Sequence, residues 1–167
     1  MQAEIHVAEG DSAAAVRQCE KVLSWLDRKP SAWWQGLRGQ VEARLALAVR
    51  AEGDSARGRA LLADALRDAL DWVELPPLAD VVDAIAVVAV QPGGPGAECA
   101  AVLLGAAHSI RGCFDESSLD APAARGTARA RLGADEFAVA YERGRSLPRD
   151  DALALAASAI ANPVTAG

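Results

Sequence analysis

A six-residue segment occurs twice in this chain, and its two copies begin 43 residues apart. Residues 8–13 read AEGDSA, and residues 51–56 repeat the same six letters. Self-similarity at intervals of about 20–50 residues is typical of proteins that stack one small structural unit several times. Because such a unit cannot bury its apolar face alone, neighbouring units have to pack together into one continuous core.

The residues after each copy have the spacing of a helix with one buried face. Apolar side chains recur there at intervals of three and four residues, which is the period of an α-helix. They are Leu61, Leu62, Ala65, Leu66, Ala69 and Val73 after the second copy, and Cys19, Val22, Leu23 and Leu26 after the first. A looser third copy aligns residues 102–107 with residues 60–65, at an offset of 42. The pattern predicts units of two antiparallel helices.

The composition favours an all-α protein. Alanine, the strongest helix former, accounts for 39 of the 167 residues, while only seven residues are aromatic. The hydrophobic content of 51% excludes intrinsic disorder, and three cysteines are too few for a small disulfide-stapled fold. The valine-rich run 81–90 would also suit a buried strand, but its length and its place in the repeat favour a helix. We expect helices over residues 12–28, 31–50, 54–72, 76–90 and 96–114, and shorter ones over 121–132, 134–145 and 149–161.

These helices are expected to stack as antiparallel hairpins in one domain over residues 1–167. The expected fold class is an all-α, right-handed solenoid that resembles tetratricopeptide repeats. The first repeat and the start of the second would occupy residues 1–50. The central repeats would occupy residues 51–114, and C-terminal capping helices residues 115–167.

The turns between the helices are marked by glycines and by residues that cap helix N-termini. Gly10, Gly53 and Gly94 suit sharp turns, where a positive φ costs glycine little. The caps would be Asp11 or Ser12 and Asp54 or Ser55. By the repeat, a helix of about 20 residues would precede Gly10, but only nine residues are available there. We therefore expect that the chain was cut from a longer one; the alternative is that residues 1–8 cap the stack.

The charge balance argues against direct contact with nucleic acid. The net charge is −6 and the isoelectric point is near 4.9, whereas a nucleic-acid binder needs a basic face to displace counterions from phosphates. The uncharged stretches 84–97 and 152–167 are interrupted by turn residues, so neither leaves the roughly 20 apolar residues of a membrane span. Residues 1–10 lack the apolar core of a signal peptide. A cytoplasmic protein without membrane contact is expected.

No catalytic, cofactor or metal site is predicted. His108 lies between Cys99 and Cys113, but spacings of nine and five match neither a helical ligand pair nor a zinc-finger pattern. The three cysteines are expected to be reduced, buried small side chains. No motif of known type marks a Ser or Cys nucleophile.

Five residues are candidates for a partner-binding surface. Trp33 and Trp34 point about 100° apart on a helix, so both can be fully buried only at a crowded interface. Trp and Arg are typical anchors of binding surfaces, which adds Arg38 to the pair. Asp80 and Asp83 would share one side of the most apolar helix, where they could bind a ligand cation. The structural alternatives are that the tryptophans cover a core of small alanines and that the aspartates mark the solvent face or accept an Arg.

The C-terminal third contains a family pattern in four segments, which are residues 100–107 (AAVLLGAA), 129–133 (RARLG), 137–145 (FAVAYERGR) and 152–156 (ALALA). The pattern resembles the tail of the helical-repeat region in large bacterial transcriptional regulators with a signal-transduction ATPase module. These include the AfsR/SARP-like and large LuxR-type regulators of actinobacteria. Two positions depart from the pattern: Tyr141 replaces the usual Trp, and Pro148 stands where a Ser or Thr would cap the last helix.

The resemblance implies a non-catalytic sensor or protein-interaction domain, with DNA binding and nucleotide hydrolysis located elsewhere in the full regulator. Its partners would be other proteins, other domains of the same regulator, or a small effector. The sequence is consistent with nucleotide hydrolysis elsewhere, since the glycine-rich segment Gly93-Gly94-Pro95-Gly96 lacks the Lys and Ser or Thr of a phosphate-binding loop. The alternatives are a free-standing adaptor that binds partner proteins, and a helical enzyme with an unrecognised site.

Overall fold

The computed structural model describes residues 10–28, 34–70 and 75–162, in which it contains eight α-helices and no β-strand. The helices are α1 Ser12–Leu26, α2 Gln35–Ala51, α3 Ser55–Leu70, α4 Leu75–Val90, α5 Ala97–Arg111, α6 Asp120–Leu132, α7 Ala134–Arg145 and α8 Arg149–Ala161. The prediction of an all-α protein is confirmed. The valine-rich run 81–90 lies in α4 and is helical, as expected.

Aspartate caps fix the starts of two helices at the predicted positions. Asp11 is the N-cap of α1, and its carboxylate accepts a hydrogen bond of 2.9 Å from the Ala14 backbone N–H. Asp54, just before α3, accepts an equivalent bond of 2.9 Å from the N–H of Arg57. Such caps satisfy backbone donors that have no partner within the helix. The six-letter repeat therefore encodes the same helix start twice.

The turn after α4 differs from the sequence-based expectation. Gly94 does not take the positive φ; Gly93 takes it, at 76°. Gly94 is needed for another reason, because a methyl group on it would lie 2.4 Å from the Val88 carbonyl oxygen and 2.5 Å from that of Ala89. The turn folds back on the last residues of α4, so the requirement at Gly94 is space rather than left-handed backbone.

The described residues form two compact units, one up to residue 81 and the other from residue 82 onward, with the division inside α4. In the first unit α2 packs against both α1 and α3. Helices α2 and α3 are antiparallel, because Gly39 near the start of α2 meets Ala65 and Ala69 while Gly58 near the start of α3 meets Arg50. The core between α1 and α2 contains Ala15, Val16, Cys19, Leu45, Ala48 and Val49.

In the second unit α5 is the central helix and packs against α6, α7 and α8. Eight consecutive residues of α5, Ala100–Ala107, are buried, so this helix has no free face over two turns. Small residues allow close packing around it, and alanines supply the buried positions Ala121, Ala124 and Ala128 of α6. In the described parts of both units, no helix is long and apolar enough to cross a lipid bilayer.

Candidate functional site

The second unit has an open pocket of about 610 Å³ where α5, α6 and α7 meet. Helix α5 contributes one side chain, the segment after it another, α6 four residues and α7 two. The lining residues are His108, Phe114, Pro122, Arg125, Gly126, Arg129, Phe137 and Tyr141. All eight lie within the second unit, so the pocket belongs to one compact body.

One face of α6 forms a wall of the pocket. Pro122, Arg125, Gly126 and Arg129 follow the i, i+3, i+4, i+7 spacing of residues on one side of a helix. The three buried alanines of α6 lie on the adjoining face and hold the helix in the core of the unit. Their packing thus leaves two guanidinium groups, one turn apart, on the face that lines the pocket.

The aromatic part of the pocket comes mainly from α7. Phe137 and Tyr141 are one turn apart, and their rings stack with centroids 5.6 Å apart and an interplanar angle of 28°. Phe137 is buried, whereas Tyr141 is half-buried. The imidazole of His108 meets the Tyr141 ring edge-on, with centroids 5.9 Å apart. The three rings form a continuous apolar surface with polar atoms at one end.

That polar end is a hydrogen bond of 2.7 Å between Nδ1 of His108 and Oη of Tyr141. Burial, together with Arg145 and Arg111, lowers the pKa of His108, although Glu142 acts in the opposite direction. Burial also raises the pKa of Tyr141. Both shifts favour neutral side chains at neutral pH. The pair can therefore donate and accept hydrogen bonds, but neither group is poised as a charged nucleophile.

The segment that carries Phe114 is fixed by a local hydrogen-bond network. The Asp115 carboxylate accepts bonds from the backbone N–H groups of Ser117 and Ser118 and from the Ser117 hydroxyl, at 2.9, 3.2 and 2.6 Å. Burial acts to raise the pKa of Asp115, but these hydrogen bonds outweigh it and the pKa is lowered. The ordered segment places the Phe114 ring under Arg125, whose guanidinium carbon lies 4.0 Å from the ring centroid.

The two arginines of the pocket differ in their partners. Arg125 also forms an ion pair of 3.1 Å with Glu116. Arg129 is exposed and, among the described residues, has no carboxylate within ion-pair distance. None of the described residues that line the pocket carries a carboxylate, a Ser or Thr hydroxyl, or a thiol. The pocket is thus basic although the chain as a whole has a net charge of −6.

The described residues contain no cluster of three His, Cys, Asp or Glu side chains that could hold a metal ion. His108 faces Tyr141 rather than Cys99 or Cys113. The expectation that all three cysteines are buried is confirmed only for Cys19. Cys99 is partly exposed, and Cys113 is exposed because it follows the C-terminus of α5.

The candidate partner-binding residues of the first unit lie near the start of α2. Trp33 lies outside the described residues. Trp34 contacts Trp25 of α1 in an edge-to-face arrangement with ring centroids 5.0 Å apart. Arg38 forms ion pairs with Asp27 and with Glu42, the latter at 3.3 Å. Trp34 and Arg38 thus both contact the C-terminal end of α1 or the residue after it.

The two aspartates of α4 have different partners although they are three residues apart. Asp80, in the first unit, accepts a hydrogen bond from the Gln40 side chain. Asp83, in the second unit, is buried and accepts a bond of 2.7 Å from Arg111 of α5. Asp83 therefore fits the structural alternative, in which an aspartate of this helix accepts a hydrogen bond from an Arg of a neighbouring helix. A partner-binding role for any of the five residues stays a prediction.

The sequence does not indicate the pocket residues as a group. His108 stands out in it only by its place between two cysteines, and Tyr141 only as a replacement for the usual Trp. A signal was present in the spacing of Arg125 and Arg129, and in that of Phe137 and Tyr141, since each pair is four residues apart on a predicted helix.

Comparison with known proteins gives no match: no protein-family model, no curated protein and no solved structure matches this chain.

Proposed function

We propose that this chain is a non-catalytic helical-repeat module that binds a partner or a small effector and thereby regulates a bacterial transcription factor. In this proposal the helices stack as a right-handed solenoid of the tetratricopeptide type, in the cytoplasm. The partner would be another protein or another part of the same polypeptide. Neither nucleic acid nor a membrane would be contacted directly.

The observation that carries the proposal is the open pocket between α5, α6 and α7. Its surface combines stacked rings, two guanidiniums and one neutral imidazole–phenol pair, which are typical recognition groups. A hydrolytic site of the Ser–His or Cys–His type requires the aliphatic hydroxyl of Ser or the thiol of Cys beside the base. Tyr141, rather than Ser or Cys, occupies that place beside His108.

The sequence pattern supports the regulatory part of the proposal. The segments that resemble the tails of large bacterial regulators contain three of the eight pocket residues, which are Arg129, Phe137 and Tyr141. Regulation would then be a population shift, in which a bound ligand favours one arrangement of the helices over another. The coupling would extend to ATPase and DNA-binding parts elsewhere in the polypeptide.

The genomic reading frame provides the first test. We expect the same frame to encode a phosphate-binding loop of the type GxxxxGK[ST] and a helix-turn-helix segment. A frame that encodes neither would contradict the regulator and favour the free-standing adaptor.

A reporter assay with the full-length polypeptide provides the second test. A reporter gene under its control should lose its response to the natural inducing condition when Arg129→Gln is introduced. Arg149→Gln is the matched control, because Arg149 is exposed at the start of α8 and does not line the pocket. An unchanged response in Arg129→Gln would contradict a regulatory role of this pocket.

A further inference from the structure

We propose that the pocket between α5, α6 and α7 binds a small organic anion that carries a planar ring, with its carboxylate or phosphate group on Arg129 and Arg125. The inference deepens the proposed function and rests on it in one respect, namely that the pocket serves binding rather than catalysis. It names the chemical class of the ligand, which the family resemblance does not supply.

The preference for an anion follows from the charges around the pocket. Arg125 and Arg129 are one helical turn apart on the same face of α6. Arg129 would make the main contact with an anionic group, because Arg125 already forms an ion pair with the exposed Glu116 and would supply the second contact from beside it. Arg129 has no carboxylate partner within the described part of the chain. The lining adds no negative charge. A basic concavity on an acidic protein concentrates anions there and leaves the remaining surface unattractive to them.

The preference for a planar ring follows from the aromatic residues of the lining. Phe137 and Tyr141 stack on each other, and Phe114 is covered on one face by Arg125. Rings of this kind bind flat apolar groups by offset or edge contacts. A volume of about 610 Å³ lies in the range of ordinary small-molecule sites, which is about 300–1,000 Å³.

The hydrogen bond between His108 and Tyr141 limits where the ligand can be polar. Their facing atoms, Nδ1 and Oη, form a hydrogen bond of 2.7 Å, so each already has a partner within the protein. A buried polar group of a ligand would have to compete with that bond, whereas an apolar ring would not. The anionic group is therefore expected at the α6 side, and the ring at the α7 side.

Nuclear magnetic resonance can test the inference on the chain itself. The sequence contains one tyrosine and two histidines, so the ring signals of Tyr141 and His108 are readily assigned. We expect phenyl phosphate or benzoate, added at millimolar concentration, to shift both sets of signals in a saturable manner. Inorganic phosphate and benzyl alcohol, which lack the ring and the charge respectively, should each bind at least about tenfold more weakly.

A matched pair of arginine variants separates the site from general charge effects. Arg129→Gln should weaken the binding of phenyl phosphate about tenfold or more, because a hydrogen bond to a charged group is lost. Arg149→Gln removes the same charge from an exposed helix position outside the pocket and should leave the affinity unchanged. Far-UV circular dichroism would show that both variants keep the helices of the parent chain.

Several outcomes would overturn the inference. They are the absence of saturable shifts at Tyr141 and His108, equal weakening in both variants, and equal affinity for phenyl phosphate and benzyl alcohol. Equal affinity for phenyl phosphate and inorganic phosphate would contradict the claim that the pocket recognises a planar ring. Stronger binding of benzoate than of phenyl phosphate, or the reverse, would identify the head group. If phenyl phosphate and benzoate fail to bind, the result of the reading-frame test of the regulator is not affected. A failure of this inference can therefore be distinguished from a failure of the proposed function.

Discussion

Gly105 of α5 lies directly against the backbone of Tyr141 in α7, so that a methyl group on Gly105 would be 2.0 Å from the Tyr141 carbonyl oxygen. The contact is reciprocal along the same helix pair, because a methyl group on Gly144 would be 1.9 Å from the Val102 carbonyl oxygen. Two glycines therefore set the distance between α5 and α7. That distance positions His108 for its hydrogen bond with Tyr141.

We predict that Gly105→Ala and Gly144→Ala each destabilise the chain by about 2 kcal/mol or more, since backbone atoms on the facing helix cannot move aside as a side chain would. The gain in helix propensity from alanine, about 1 kcal/mol, is too small to compensate. Urea unfolding followed by circular dichroism would measure the loss.

Gly126→Ala is the matched control for these two variants. Gly126 lies within α6, and a methyl group added there meets nothing within 4 Å. We expect this variant to be more stable than the parent by about 0.5–1 kcal/mol. Destabilisation of similar size in all three variants would show that the close approach of α5 and α7 is not the cause.

The ion pair between Asp83 and Arg111 provides a second prediction. Both side chains are nearly buried, with exposures of 10% and 12%, and are 2.7 Å apart. Asp83→Asn would leave the Arg111 charge in a poorly solvated place without its carboxylate, and we expect a loss of about 3 kcal/mol in unfolding free energy. Chemical denaturation at neutral pH would measure it.

The control is an ion pair of similar length at the surface of the same unit. Arg143 and Glu98 are 2.9 Å apart, but more than half of each side chain is exposed. Arg143→Gln should therefore cost less than about 1 kcal/mol. Comparable losses for Asp83→Asn and Arg143→Gln would mean that burial does not determine the strength of the first pair.

The helix positions could be predicted from the sequence because their signals are local. The caps Asp11 and Asp54, and the apolar period after each, need no knowledge of distant residues. The predicted ranges 121–132, 134–145 and 149–161 agree with α6, α7 and α8 to within one residue. Buried positions were also predictable in part: Leu62, Ala65, Leu66 and Ala69 are buried, whereas Leu61 is only partly covered.

The pocket could not be predicted because it depends on which helix faces meet. His108 and Tyr141 are 33 residues apart in sequence, and their contact requires the close crossing of α5 and α7 at Gly105. In a sequence, a glycine inside a helical pattern indicates only a lower helix propensity, because the helix that packs against it is not known. The same reasoning explains the error at Gly94, where a tertiary contact rather than backbone conformation requires glycine.

The three cysteines are predicted to react at very different rates with a thiol reagent. Burial raises the pKa of Cys19 to about 11 and also raises that of Cys99, whereas Cys113 is exposed. Since the thiolate is the reactive form, a raised pKa slows reaction at any pH below it. Timed alkylation followed by peptide mass spectrometry should find Cys113 modified first and Cys19 last. The difference should vanish in denaturant; a persistent difference there would contradict burial as the cause.

His108 is predicted to make stability fall as the pH drops below about 6.5. Burial, together with Arg145 and Arg111, lowers its folded-state pKa from the ordinary value of 6.5, so the unfolded chain binds a proton more readily than the folded one. The stabilisation is then fully present above the unfolded pKa and is lost as the pH falls through the folded pKa.

Two measurements check this prediction. Imidazole signals followed by nuclear magnetic resonance should give a pKa for His108 below the ordinary value. The variant His108→Gln should reduce the slope of unfolding free energy against pH in that range. His6→Gln is the control, since it removes the only other histidine of the chain, and an equal change of slope in the two variants would locate the titration elsewhere.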